Sequence, residues 1–478
     1  MRRSVSVSSG TVSSQTGMFG FMMVLYLSLR GLSRTTAEGG KVLSARRENS
    51  GTGGNRRPVL DKSPPLHGII EHRKELSARR DPAVLPAPRT GSEKRQPMNK
   101  LTSHERLTRI FRGEEIDRPA LKLWGASPDV GWQLHEAYGP VSALAAEMTD
   151  LFAGAGGYGL NPMFGSDGGT KVDHWKTETG DPLWLHCHTR IHTPKGDVEM
   201  VRRGSQIREP GYDMEHYVKD EEDIEKLLSI PYTSPEGMKK ESYDEAAAHV
   251  GNRGIAMIDL PHAAYFVHQM MGSETLAYLS VDARELVDEL ISVYAKRIYD
   301  HVKRILETGV EHPIFGWCGP ELFLPPLLSP RDFDDFVGKY DKPICDLIHE
   351  HGGYVWVHSH GQVRHFIERF IEMGVDVINP LEPEWMSNGD VDLDEVVGTF
   401  GGRIGLEGNI EIQEILQSSK ERIAGLIDAC VEAGWKSGRL ILCPSAGYME
   451  YPRPTEQYIE NLLFYLRYGY EAVEKCRK

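Results

Sequence analysis

Tyr354-Val-Trp-Val-His358, then Val363–Met373 with apolar residues at helical spacing, then Asp376-Val-Ile-Asn-Pro-Leu381: this stretch decides the fold. Two short β-rich runs flank one amphipathic helix. A connection of that length and pattern joins parallel neighbours, not the arms of a hairpin. The alternation continues in both directions, with candidate strands at Ala120–Trp124, Ile255–Asp259, Pro313–Cys318, Arg403–Glu407 and Leu440–Cys443. Helical stretches at Asp282–Thr308, Pro330–His349, Ile412–Ala433 and Thr455–Lys475 lie between or after them. The strands are apolar on both faces, as strands buried between two layers are. The repeat predicts an α/β fold, preferably a (β/α)8 TIM-type barrel. A doubly wound open sheet is the alternative, but no Gly-x-Gly-x-x-Gly follows the first strand.

Residues 160–235 break the rhythm. Thr170–Trp175, Leu183–His192 and Asp197–Arg202 alternate between turns at Thr179-Gly180-Asp181 and Lys195-Gly196-Asp197. They predict an antiparallel β insertion over one mouth of the barrel.

The chain of 478 residues carries a net charge of −14 that is unevenly spread. Residues 1–97 hold 17 Lys/Arg against 7 Asp/Glu, whereas 98–478 hold 38 against 62. So acidic a body is a poor binder of nucleic acid. No apolar run is long enough to span a membrane. Six scattered cysteines make no disulfide scaffold, which points to a reducing, cytoplasmic setting. Residues 1–97, rich in Ser, Arg, Gly and Pro, read as disorder. The apolar run Met18–Leu29 resembles the core of a secretory signal, and the Ser/Arg bias suits a mitochondrial leader. The preferred reading is an extension ahead of a true start at Met98, where Thr102 or Ser103 can cap a helix running to Phe111. The domains are thus 1–97 and a barrel over 98–478.

Barrel enzymes place their chemistry at the C-terminal ends of the strands. There stand Trp317, Cys318, Glu321, His358, His360, Glu382, Glu384, Trp385, Glu407, Asn409, Cys443 and Tyr448. His358 and His360, two apart, point to one side of a strand, while Cys443 reaches in from another. Two imidazoles and a thiolate suit Zn²⁺, and three protein ligands leave one position open for a substrate. Against this, a lone His-x-His pair is more often hydrogen-bonded or partly exposed, and a lone Cys is more often a small buried hydrophobe. Glu407 is a candidate fourth ligand or general base, or simply a carboxylate before a helix. Glu382 and Tyr448 are further catalytic candidates. Trp124, Trp317, Glu321 and Asn409 are candidates for substrate binding.

Two other histidine groups have simpler explanations. His186, His188, Arg190 and His192 share one face of a strand, and the arginine argues against a cation there. His349 and His351 close a helix, where an imidazole can satisfy last-turn carbonyls.

Several segments resemble the uroporphyrinogen decarboxylase-like family. They are Thr102–Pro119, Val357-His358-Ser-His-Gly361, Met373–Pro383, Arg403-Ile-Gly-Leu-Glu-Gly-Asn409 and Tyr451–Asn461. The resemblance spans about residues 100–475 and implies a (β/α)8 barrel, often paired as a homodimer. It also implies one of two activities. Decarboxylases of the family act on a tetrapyrrole without metal and carry an arginine-rich motif after the first strand. This chain has Leu123-Trp-Gly-Ala-Ser-Pro128 there, and Asp167 is the residue offered for the family's catalytic aspartate. A substrate with many carboxylates needs cationic partners, whereas these strand ends offer Glu321, Glu382 and Glu407. Corrinoid-dependent methyltransferases of the family hold zinc with His-x-Cys and a distant Cys. The matching positions are His358, His360 and Cys443, with His in place of the middle Cys.

The resulting expectation is zinc-dependent methyl transfer to a thiol or similar acceptor. Methylcobalamin or a corrinoid partner protein would be the donor. Decarboxylation of a tetrapyrrole or smaller acid is the alternative. A non-catalytic corrinoid- or porphyrin-binding barrel lined by Trp124, Trp317, Trp385 and Tyr448 is the third reading.

Overall fold

The computed structural model describes residues 100–477, apart from 128–134, 208, 386–388 and 448–452. The segment 1–97 and Tyr448 therefore lie outside the described residues.

Twelve strands form two sheets among the described residues. In chain order they are β1 Ala120–Leu121, β2 Leu151–Gly154, β3 Val172–Glu178, β4 Trp184–Thr193, β5 Gly196–Ser205 and β6 Tyr212–Glu215. The rest are β7 Gly254–Asp259, β8 Ile314–Cys318, β9 Tyr354–His358, β10 Val377–Asn379, β11 Gly405–Ile410 and β12 Leu440–Pro444. The larger sheet has eight parallel strands in the order β1-β12-β11-β10-β9-β8-β7-β2. Helices separate its later strands, so the βα repeat read from the sequence is present. The ladder that would close a barrel runs between β1 and β2, and no such pairing forms. One backbone bond bridges that gap, from Asp150 N–H to Leu121 O at 2.7 Å, and the Asp150 carboxylate accepts the Leu121 N–H at 2.8 Å. Arg106 holds Asp150 from behind at 2.6 Å and Asp117 at 2.8 Å, all three groups being buried.

The smaller sheet, β3-β4-β5-β6, is antiparallel and lies within the predicted insertion. Its fourth strand was not foreseen, nor was β2. Leu151-Phe-Ala-Gly154 is short, lacks alternation and runs into glycines, so it carries no strand signal of its own.

Alternation divides the barrel-type strands between two apolar clusters. Met257, Cys318, Trp356 and Cys443 fall in one, together with Leu107, Ile110 and Phe111 of the helix Ser103–Arg112. Ile258, Trp317, Val357 and Leu442 fall in the other, among the surrounding helices. The helix Ser103–Arg112 begins with a capping box, Thr102 receiving the Glu105 N–H and Glu105 returning to Thr102. It sits at the strand N-termini: His104 bonds Gly254 O, and Arg439 bonds Ile110 O. That end is plugged, so the opposite end is left for chemistry. No helix among the described residues is long and apolar enough to cross a membrane.

Candidate active site

His358 ends β9 on the inner face, fully buried. Its Nδ1 lies 2.5 Å from Asn379 Oδ1 at the end of β10. An amide oxygen can only accept, so Nδ1 carries the proton and the lone pair sits on Nε2. Nε2 has no hydrogen-bond partner. Burial, and then the neighbouring His360, push this imidazole well below its ordinary range, so it is neutral.

His360 stands edge-on to it, the ring centroids 4.5 Å apart. Its Nδ1 meets Glu382 Oε1 at 2.9 Å, and the other Glu382 oxygen accepts the Gly361 N–H at 2.6 Å. Burial is the largest influence and would lower the imidazole, but the charge and hydrogen bond of Glu382, together with the charges of Glu321 and Glu411, outweigh it and raise His360. Conversely, the charge and hydrogen bond of His360 hold Glu382 low against its burial. The two form an imidazolium–carboxylate pair.

Two further carboxyls stand nearby with unmatched oxygens. Asp259 ends β7 with Oδ1 unpartnered, and burial raises it to about 6 despite Lys122. Glu321 follows β8 with Oε2 unpartnered, and burial raises it as well. Both carboxyls push up the Cys318 thiol after burial has done so, which puts the three groups in one neighbourhood.

Deeper in the same cluster, Glu407 is fully buried with both oxygens committed. Oε1 accepts from Lys122 Nζ at 2.7 Å and Oε2 from Trp356 Nε1 at 2.9 Å. Burial and the adjacent Glu407 carboxylate hold the Cys443 thiol well above its ordinary value. Trp124 stacks on His358 at 4.7 Å.

The structure therefore brings His358, His360, Glu382 and Glu321 to one end of the sheet, with Trp124, Glu407 and Cys443 close beneath. Trp317 departs from its expected place. Its side chain falls in the outer cluster, 2% exposed, because it is one residue out of phase with Cys318. Asn409 is half-buried, and its backbone N–H donates to Cys430 Sγ at 3.4 Å. Trp385 is half exposed beneath the Arg422 guanidinium. Asp167 caps a surface turn through Thr170, whose hydroxyl holds the carboxyl low. Sequence reasoning missed Lys122, Asp259 and Asn379. Their signal was a polar residue at the end of an apolar strand, the feature that had singled out His358.

The expected three-ligand zinc centre does not assemble. Among the described residues no group of three or more His, Cys, Asp or Glu side chains is arranged to hold a metal ion. The imidazoles have the usual outer-shell partners of metal-bound histidine. The Cys443 thiol instead lies against Glu407 in a low-dielectric layer that keeps it protonated. The donor set as placed does not fit Zn²⁺. In the insertion, His188 bonds Glu199 and His192 bonds Asp173 and Asp197, so carboxylates and not a shared centre occupy those rings. His351 accordingly bonds the last-turn carbonyl of Leu347 at 2.9 Å, while His349 turns to Asp376.

A family model described as uroporphyrinogen decarboxylase (URO-D) matches residues 210–456, more than half of the chain. The chain belongs to the uroporphyrinogen decarboxylase family. The uroporphyrinogen decarboxylase of Parasynechococcus marenigrum (strain WH8102) is 24% identical over 335 residues, covering 68% of this chain and 86% of that one. That of Prochlorococcus marinus (strain MIT 9312) is 31% identical over 148 residues, or 30% and 38% of the two chains. Among solved structures, a methyltransferase from Methanosarcina mazei superposes with a TM-score of 0.47 at 12% identity, covering 77% of this chain and 98% of that one. The barrel-type strand order and the polar groups at the strand C-termini match the general plan of barrel enzymes.

Proposed function

We propose that the chain transfers a methyl group from a methylated corrinoid, carried by a partner protein, to a small thiol or similar acceptor. One observation carries this reading: a buried, neutral His358 whose Nε2 lone pair has no protein partner. In the proposed step Nε2 takes the proton of the acceptor S–H. The sulfur forms its bond to the methyl carbon as that proton leaves, so no free thiolate has to build up against a weakly basic imidazole, and the donor keeps the electron pair of the bond that breaks. Asn379 fixes the tautomer needed for this. The His360–Glu382 pair is internally neutral and leaves the charge balance of the pocket to Asp259 and Glu321. Among the described residues, the lysine of that cluster, Lys122, is already paired with Glu407 and so offers no free cation to a substrate with many carboxylates.

Decarboxylation is the second reading, and Asp259 and Glu321 favour it. Carboxyls pushed upward by burial are proton donors at mildly acidic pH, suited to quenching the carbanion left when CO₂ departs. The uroporphyrinogen decarboxylases to which the chain is similar point the same way.

The test is anaerobic incubation of the purified chain with methylcobalamin and 2-mercaptoethanol, following loss of the methylcobalamin spectrum and formation of the methyl thioether. Turnover that falls at least about a hundredfold in His358→Ala supports methyl transfer. Conversion of uroporphyrinogen with chelator present, and no thioether, would move the assignment to decarboxylation.

A further inference from the structure

Beneath His358 the side chains form a closed circuit. Lys122 Nζ donates to Glu407, Glu407 accepts from the Trp356 indole, and Trp356 lies 5.5 Å from Trp124, nearly parallel to it. Trp124 follows Lys122 by two residues. The Lys122 ammonium sits over three rings, 3.8 Å from Phe152, 4.8 Å from Trp356 and 5.1 Å from Trp124. His358 packs on both indoles, at 4.7 Å from Trp124 and 5.9 Å from Trp356. Every member is buried, and four separate strand regions are tied together: the end of β1, β2, β9 and β11.

Glu407 has no oxygen left for a substrate, and the Lys122 ammonium is enclosed by rings. Neither group is hydrogen-bonded to His358 Nε2. Yet a buried ion pair costs desolvation, and an apolar pair of similar size often serves stability as well. Its geometry here is directional. The carboxylate orients one indole by a hydrogen bond, and the ammonium attracts the faces of both.

We propose that Lys122 and Glu407 are positioning residues for the His358 imidazole, holding the two indoles against which that ring packs. Glu407 sets the Trp356 plane, and Lys122 draws Trp124 and Trp356 together. The stacked pair then leaves His358 one orientation, with Nδ1 to Asn379 and Nε2 buried without a protein partner. The proposal rests on the reading of His358 as a reacting group. Its test reads ring placement and not turnover, so either can fail alone.

The experiment is NMR of the full chain with labelled histidine and tryptophan. It compares wild type with Glu407→Gln, Lys122→Arg and the apolar double variant Lys122→Met/Glu407→Met. In wild type the His358 ring protons are displaced upfield by the two indoles, and one tautomer with the proton on Nδ1 is seen. In the folded double variant the upfield displacement falls by more than half and the two tautomers mix. Lys122→Arg, which keeps the cation, retains most of the displacement. Unchanged His358 signals in the double variant would overturn the proposal. So would failure of every substituted chain to fold, because the pair would then be a stability element alone.

Discussion

Replacing Asp259 with Asn isolates the energetic consequence of a buried, unmatched carboxyl at the strand ends. Burial lifts Asp259 from its ordinary value of 3.8 to about 6, with Lys122 opposing only in part. The folded chain therefore binds this proton more tightly than the unfolded chain does. Stability from the protonated acid is fully present below the unfolded value of 3.8 and is lost as pH rises through about 6. A displacement from 3.8 to about 6 corresponds to at most about 3 kcal/mol at neutral pH. Asp259 keeps some exposure, so about 2 kcal/mol is the better expectation. Asn stays neutral and nearly isosteric. Asp259→Asn should thus stabilise the protein by about that amount near pH 7.5 and by little near pH 4. Urea unfolding of both chains at the two pH values reads the difference directly, with unchanged slopes showing that the unfolded ensembles are comparable. A substitution effect equal at both pH values, or a carboxyl carbon of Asp259 that titrates near the ordinary aspartate value, would refute the argument from burial.

Lys122→Met strands a fully buried carboxylate and should cost about 3–5 kcal/mol in chemical denaturation, most of it recovered in the Lys122→Met/Glu407→Met double variant. Arg106→Met removes the guanidinium shared by Asp117 and Asp150 at the seam between β1 and β2, but Arg118 still faces Asp150 at 3.4 Å and Arg477 still faces Asp117, so the loss should be smaller, about 2–3 kcal/mol, with faster hydrogen exchange at Leu121. Thr102→Ala removes the capping box of the helix that plugs the strand N-termini and should cost about 1 kcal/mol, read as a lower thermal midpoint. Zinc analysis of the purified chain should give well below one equivalent, unchanged in Cys443→Ala. A full equivalent that Cys443→Ala removes would show that the thiol leaves Glu407 to join the imidazoles.

The parallel repeat was legible because strands buried on both faces are written as compact apolar runs, and Tyr354–His358 is observed with those bounds. Predicted helix Ile412–Ala433 is present but divided, 412–417 and 420–434, because Ser419 caps a second helix. The end of the sheet at which His358, His360, Glu382 and Glu321 gather was legible too. What periodicity could not supply was depth. Glu407 and Asp259 both lie in strands of the same sheet, but Glu407 meets a lysine 285 positions away and Asp259 meets no donor for one oxygen.

Sequence alone determined the repeat, the antiparallel insertion, the acidic body and the strand ends where ionisable side chains collect. These follow from local rules: alternation, capping and turn chemistry act between residues a few positions apart. Tertiary structure alone decided which ionisable groups are paid in kind by a partner. Lys122 neutralises Glu407, Asn379 sets the His358 tautomer, and Cys443 stays with the carboxylate instead of the imidazoles. Charge pairing inside a low-dielectric core depends on distances between strands far apart in the chain, and no local pattern records those distances.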